Sequence, residues 1–179
     1  MAEHPILFSS EMVRALLVGR KTQTRRVVRP SSRGCTVGCY TIRCPYGVPG
    51  DRLWVREAWA ARHLYDKTPP SAIPTGELVL YGASCGLGGL RGRPSIHMPR
   101  WASRLTLDVT SVRVERVQAI SEDDALAEGV TVGNDPTGAT TAREAFLLLW
   151  DRVNGARAPW ASNPLVWVVG FRRVEEMSA

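Results

Sequence analysis

One short segment concentrates the residue types able to do covalent chemistry. Gly19-Arg20-Lys21-Thr22-Gln23-Thr24-Arg25-Arg26 holds one of only two lysines in the chain and two threonines, and Arg29 follows just beyond. A charge run of this kind usually forms a solvated turn. The neighbours of Lys21 argue for more. Adjacent cations disfavour its ammonium form, and burial would draw its pKa from ~10.4 towards the working range of a general base. A neutral lysine takes a proton from Thr24 or from water. A threonine hydroxyl is a weak nucleophile until such a base lies within hydrogen-bond reach, which a turn over 21–24 allows and a straight strand does not.

Other constellations carry weaker chemistry. Arg100-Trp101 and Arg104 combine cations with an aromatic surface, as base-stacking sites do, although packing explains Trp101 equally well. Trp54, Trp150, Trp160 and Trp167 read as packing residues. Cys35, Cys39 and Cys44, with Cys85 or His97, could supply four zinc ligands, but the spacing is not that of a C-x2-C knuckle. Free thiols in a loop and no metal are the expectation. The glycines at 82, 86, 88 and 89 lack the order of a phosphate-binding loop. His4, His63 and His97 form no pair at ligand spacing, so a histidine-based triad is unsupported.

The elements that must position Lys21 and Thr24 are legible on either side. An apolar run, His4 to Phe8, is followed by Ser9 and Ser10 as helix caps, then by Met12, Val13, Leu16 and Leu17 at helical spacing. Gly19 ends that helix, so the basic cluster begins where an extended segment starts. Arg52 to Trp59 alternates as a half-buried strand, placing Trp54 and Glu57 on opposite faces. Arg104 to Val117 is the clearest strand, and its apolar parity switches near Thr110-Ser111, predicting a bulge. Ser121-Glu122-Asp123-Asp124 opens a short helix closed by Gly129. Glu128 then lies at a helix C-terminus, where the macrodipole disfavours a carboxylate. Thr141 to Val153 is a second amphipathic helix, and Leu165 to Val174 a final buried strand.

The 179 residues are 44% apolar and 22% charged, with 16 glycines and 12 prolines. This excludes disorder, collagen and coiled coil, and indicates one domain over 1–179. Irregular Gly-, Pro- and Cys-rich segments interrupt it at about 30–49 and 60–103. No run approaches the ~20 apolar residues of a membrane helix. The N-terminus lacks a signal-peptide pattern, and the expected location is cytoplasmic. A net charge of +6 favours an anionic partner such as a nucleotide or nucleic acid. The element order contains no βαβ repeat, so the expectation is an α+β fold with a mixed or antiparallel barrel and flanking helices.

Taken in order, G-R-K-T-x-T-R-R after a helix, P-G-D-R-L-W-V-R-E, a long strand, S-E-D-D-A-L-A-E-G and a terminal V-W-V-V-G-F-R-R-V resemble the ASCH domain family. The resemblance spans nearly the whole chain except the Cys-rich segment and the insertion, and is greatest to the long form of phage and prophage genomes. It implies a PUA-like β-barrel with a basic cleft for RNA, modified nucleosides or nucleotides, and no cofactor. Some compact members are amidohydrolases that deacetylate N4-acetylcytidine through a lysine, a threonine and a glutamate. Carried over, these fall on Lys21, Thr24 and Glu128. The last match is looser, which leaves Glu57 as a rival carboxylate. A backbone N–H or an arginine such as Arg25 would stabilise the oxyanion. Arg20, Arg25, Arg26, Glu57, Arg100, Trp101 and Arg104 are the candidate substrate contacts. The insertion departs from the compact enzymes and would cover, reshape or replace their pocket. The alternatives are a non-catalytic RNA- or DNA-binding module that reads a modified base or a single strand, and an ASCH-type ribonuclease.

Overall fold

A computed structural model describes residues 1–29, 43–84, 86–133 and 138–174. Strand β1 (Glu3–Leu7) leads into helix α1 (Ser10–Leu17), whose cap Ser9 accepts a hydrogen bond from the Met12 amide. Strand β2 (Gln23–Val27) follows, and then β3 (Arg52–Arg56). A short ribbon comes next, β4 (Trp59–Ala61) with β5 (Val79–Tyr81). The long strand β6 (Thr106–Arg116), helices α2 (Glu122–Ala127) and α3 (Ala142–Asn154), and strand β7 (Leu165–Arg173) complete the chain.

The main sheet has the order β1-β3-β6-β7-β2, and β4 and β5 form a second, two-stranded sheet. Only the β1–β3 pairing in the main sheet is parallel. The architecture is α+β, as expected. Among the described residues no backbone ladder joins β1 to β2, so the sheet is open where a closed barrel was expected. The two edges are bridged by a side chain instead: Arg26 on β2 donates to the Leu7 carbonyl of β1 at 2.6 Å.

The predicted parity switch in β6 is a bulge at Thr110, between the pairs Val109–Phe171 and Ser111–Gly170. Gly170 is required there, because a Cβ would meet Ser111 Oγ at 2.4 Å. The expected strand over 52–59 breaks after Arg56, since Trp59 turns away to pair with Tyr81 of the second sheet.

Strand β7 is buried on both faces, which explains its unbroken apolar run. Val166 and Val168 face α2 and α3 with Val117, Ile120, Phe146 and Trp150. Val169 and Phe171 face the other way, into a cluster with Ile6, Phe8, Val13, Leu16, Leu53 and Leu107. The insertion packs as a lobe of short 3₁₀ turns around Trp59, Ile73, Met98 and Ala102. Three of those turns begin at a Pro-X step, which supplies the fixed φ that tight turns use. Among the described residues no helix is long and apolar enough to cross a membrane.

Candidate functional site

Lys21 sits in the link between α1 and β2, and its backbone is fixed on both sides. The Lys21 amide donates to Ala15 O at 3.1 Å at the end of α1, and the Thr22 amide donates to Ala127 O at 2.9 Å at the end of α2. These bonds bring together two helix C-termini more than a hundred residues apart. Gly129 makes the approach possible. Its φ is +91°, and a Cβ there would stand 3.0 Å from Ala15 Cβ and 3.1 Å from Lys21 Cβ.

The Lys21 side chain is fully buried and spends all three ammonium hydrogens inside the protein. Nζ donates to Gln23 O at 2.8 Å, to Glu128 O at 2.8 Å and to Glu128 Oε2 at 2.9 Å. Glu128 caps α2, and the ammonium therefore answers both its carboxylate and an unsatisfied helix carbonyl. The unfavourable position that the sequence assigns to Glu128 is thus resolved by Lys21. Burial lowers the Lys21 pKa; the Glu128 charge and hydrogen bond oppose that shift, and Arg26 and Arg25 add to it.

Strand parity separates the residues that follow. Gln23 and Arg25 lie on the face of Val168, towards α3, and the Arg25 guanidinium stands 5.8 Å from the Phe146 ring. Thr24 and Arg26 pair with Val169 and Trp167 and so look into the Phe8 cluster. Lys21 Nζ and Arg26 Cζ lie 5.5 and 5.3 Å from the centre of the same Phe8 ring. Thr24 is 2% exposed.

Arg25 is placed differently from an oxyanion donor. Its side chain is sealed from solvent, and it donates to Glu115 at 2.5 Å, to Asp124 at 2.7 Å and to Glu128 at 3.4 Å. Arg113 joins the same group through Asp124 and Glu115. Three cations, Lys21, Arg25 and Arg113, therefore stand against three carboxylates, Glu115, Asp124 and Glu128. A buried charge set can persist when it is balanced and hydrogen-bonded in this way. The sequence gave no signal for Glu115, Asp124 or Arg113 as members, because nothing in a strand or helix pattern announces a cross-element ion pair.

Glu57 is buried in a second constellation. Arg104 grips it with two bonds, 2.9 and 3.1 Å, and donates a third at 2.7 Å to Ser84 Oγ; its guanidinium stacks 4.0 Å from the Tyr81 ring. Of the two candidate carboxylates, Glu128 is the one that meets Lys21. Arg100 is exposed and pairs with Glu3, and Trp101 packs edge-on against Trp59 at 6.3 Å. Arg100, Trp101 and Arg104 thus have three different partners and do not form one stacking platform. Trp54, expected to be a packing residue, is half-buried with Arg56 at 5.2 Å and Arg100 at 6.0 Å.

Arg20 is exposed, donates to Gly129 O at 3.2 Å and borders a groove of about 370 Å³ that Arg14, Arg152 and Glu128 also line. Of the candidate zinc ligands, Cys35, Cys39 and Cys85 lie outside the described residues. Cys44 is a free thiol whose pKa burial raises, with a hydrogen bond from the Tyr46 backbone opposing. Among the described residues no cluster of histidine, cysteine or carboxylate side chains has the make-up of a metal site.

Neither a family model nor a curated protein sequence matches this chain. Its fold is similar to that of two solved structures. One is a protein of family DUF984 from Enterococcus faecalis V583, 12% identical, with a TM-score of 0.48 over 100% of this chain and 85% of that one. The other is an ASCH domain from Lactobacillus crispatus JV V101, 14% identical, with a TM-score of 0.45 over 96% of this chain and 79% of that one.

Proposed function

We propose that this chain is an ASCH-type hydrolase that removes an acyl group from a modified pyrimidine nucleoside such as N4-acetylcytidine. The observation that carries the reading is the buried pair of Lys21 Nζ and Glu128 Oε2 at 2.9 Å, three residues before Thr24. Two residues carried over from one motif and one from a distant helix meet where the chemistry needs them. In this reading Glu128 accepts a proton from Lys21, which leaves an amine lone pair without creating net charge. That amine takes the Thr24 hydroxyl proton as the oxygen adds to the acyl carbon. Long-form phage and prophage kinship and a cytoplasmic setting belong to the same reading.

The test is incubation with N4-acetylcytidine, quenched early and mapped by peptide mass spectrometry. Cytidine release with an acetyl group on Thr24, both lost in Lys21→Ala, is the expected result. Cytidine release at equal rates from the Lys21→Ala variant would sink the reading.

Trp54 favours a second reading, a module that binds single-stranded RNA or DNA. An indole on the outward face of β3, bordered by two guanidiniums, is the surface on which bases stack. Binding would then weaken steeply with salt and with Trp54→Ala. Affinity unchanged by either would count against it.

A further inference from the structure

Arg26 differs from the other buried cations of the site. Lys21 meets Glu128, Arg25 meets three carboxylates and Arg104 meets Glu57. Arg26 has no carboxylate partner among the described residues. One of its Nη2 hydrogens goes to the neutral Leu7 carbonyl, while Nε has neither accessible surface nor a hydrogen-bond partner. A desolvated N–H with nothing to bind costs free energy, and in a native fold it calls for an explanation. The rest of the side chain is not sealed: Arg26 keeps partial exposure, whereas Lys21 and Thr24 are buried. Burial lowers its pKa, with Tyr46 and Glu128 opposing, but a guanidinium remains charged at any working pH.

Its position supplies the explanation. Arg26 shares the β2 face of Thr24, two residues away, and the Phe8 ring of Lys21. We propose that Arg26 is the acyl-oxygen site: its unpartnered Nε–H receives the carbonyl oxygen of the substrate and afterwards the carboxylate of the released acid. This rests on the hydrolase reading and assigns the anion-stabilising role that Arg25, bound to three carboxylates, does not fill. As Thr24 Oγ adds to the acyl carbon, the carbonyl π pair moves onto oxygen, where Arg26 holds it. The pair returns as the C–N bond breaks, and the departing nitrogen takes the proton that Lys21 removed from Thr24. Water repeats the addition at the acyl-threonine, releasing the acid and restoring the hydroxyl.

The probe is sodium acetate, titrated into the ¹⁵N-labelled full chain while the arginine Nε–H resonances are followed. The Arg26 signal is expected to shift saturably. In Arg26→Lys, which keeps the charge but not the planar fork, acetate binds about tenfold more weakly or worse. The same variant lowers kcat on N4-acetylcytidine by about 10²-fold or more. An Arg26 resonance that acetate leaves unmoved would overturn the proposal, and the wild-type titration decides this even where the variant folds poorly. Saturable acetate binding in a protein that does not deacetylate N4-acetylcytidine supports the anion site and refutes the hydrolase reading. Deacetylation with a kcat indifferent to Arg26→Lys does the reverse.

Discussion

Lys21 Nζ and Glu128 Oε2, 107 residues apart in sequence, stand 2.9 Å from each other with 0% and 4% of their side-chain surfaces exposed. Glu128 also receives Arg25 at 3.4 Å, so the carboxylate answers two cations while Lys21 has one carboxylate partner. Glu128→Gln should therefore be the costlier single change. Removing one partner of a buried pair costs about 3–5 kcal/mol, and the double variant Lys21→Met/Glu128→Leu should recover part of that loss. Urea unfolding measures it. Single variants within about 0.5 kcal/mol of wild type would mean that the pair is solvated and unimportant to the fold.

The pH dependence follows from two opposite shifts. The Lys21 pKa is lowered by burial, so between its folded value and its ordinary ~10.4 the unfolded chain binds more protons. The Lys21 contribution to stability accordingly rises with pH through that window. At the acid end, burial works upward on Asp124, and the Arg25 hydrogen bond and charge, with Arg113, outweigh it to leave the pKa lowered. Its contribution is present above the ordinary carboxylate range and is lost as pH falls through the folded value. Unfolding free energies across pH for wild type, Lys21→Met and Asp124→Asn should show each slope vanish in its own variant. Parallel curves for all three would contradict both assignments.

Gly129 offers a geometric test with a built-in control. Gly129→Ala adds a Cβ at φ +91° about 3 Å from Ala15 and Lys21, whereas Gly19→Ala at φ +74° meets open space. Both variants bear left-handed strain of about 1–2 kcal/mol. Gly129→Ala should also displace Lys21 and so lose activity, while Gly19→Ala keeps it. Equal activity in the two would place the lysine outside the chemistry.

Glu57 separates the two carboxylates that the sequence leaves open. Glu57→Gln should destabilise the contact between the main sheet and the insertion, because Arg104 loses its charge partner. It should leave kcat/KM on N4-acetylcytidine unchanged, whereas Glu128→Gln abolishes turnover. Lost turnover in a stably folded Glu57→Gln variant would exchange the roles.

Much of the scaffold was legible because local rules dictate it. The caps Ser9, Ser121 and Thr141, the glycine stops at 19 and 129, and the parity switch at Thr110 each act within a few residues of where they are written. The break after Arg56 and the packed lobe were not, since they depend on Trp59 finding Tyr81 and Met98 far along the chain. The site divides in the same way. Lys21 and Thr24 were visible in one motif, and the helix end pointed to Glu128. The commitment of Arg25 to carboxylates, and the freedom of Arg26 from them, depend on strand parity against β7 and on helices more than ninety residues away. Composition carries no trace of that.

The central claim is that Lys21 and Thr24 perform acyl transfer, and the most direct measurement is kcat/KM on N4-acetylcytidine for wild type, Lys21→Met and Thr24→Val, with folding verified by thermal unfolding. The account predicts turnover in wild type and a fall of about 10³-fold or more in both variants. Folded variants that turn over as fast as wild type, or a wild type that releases no cytidine, would contradict it.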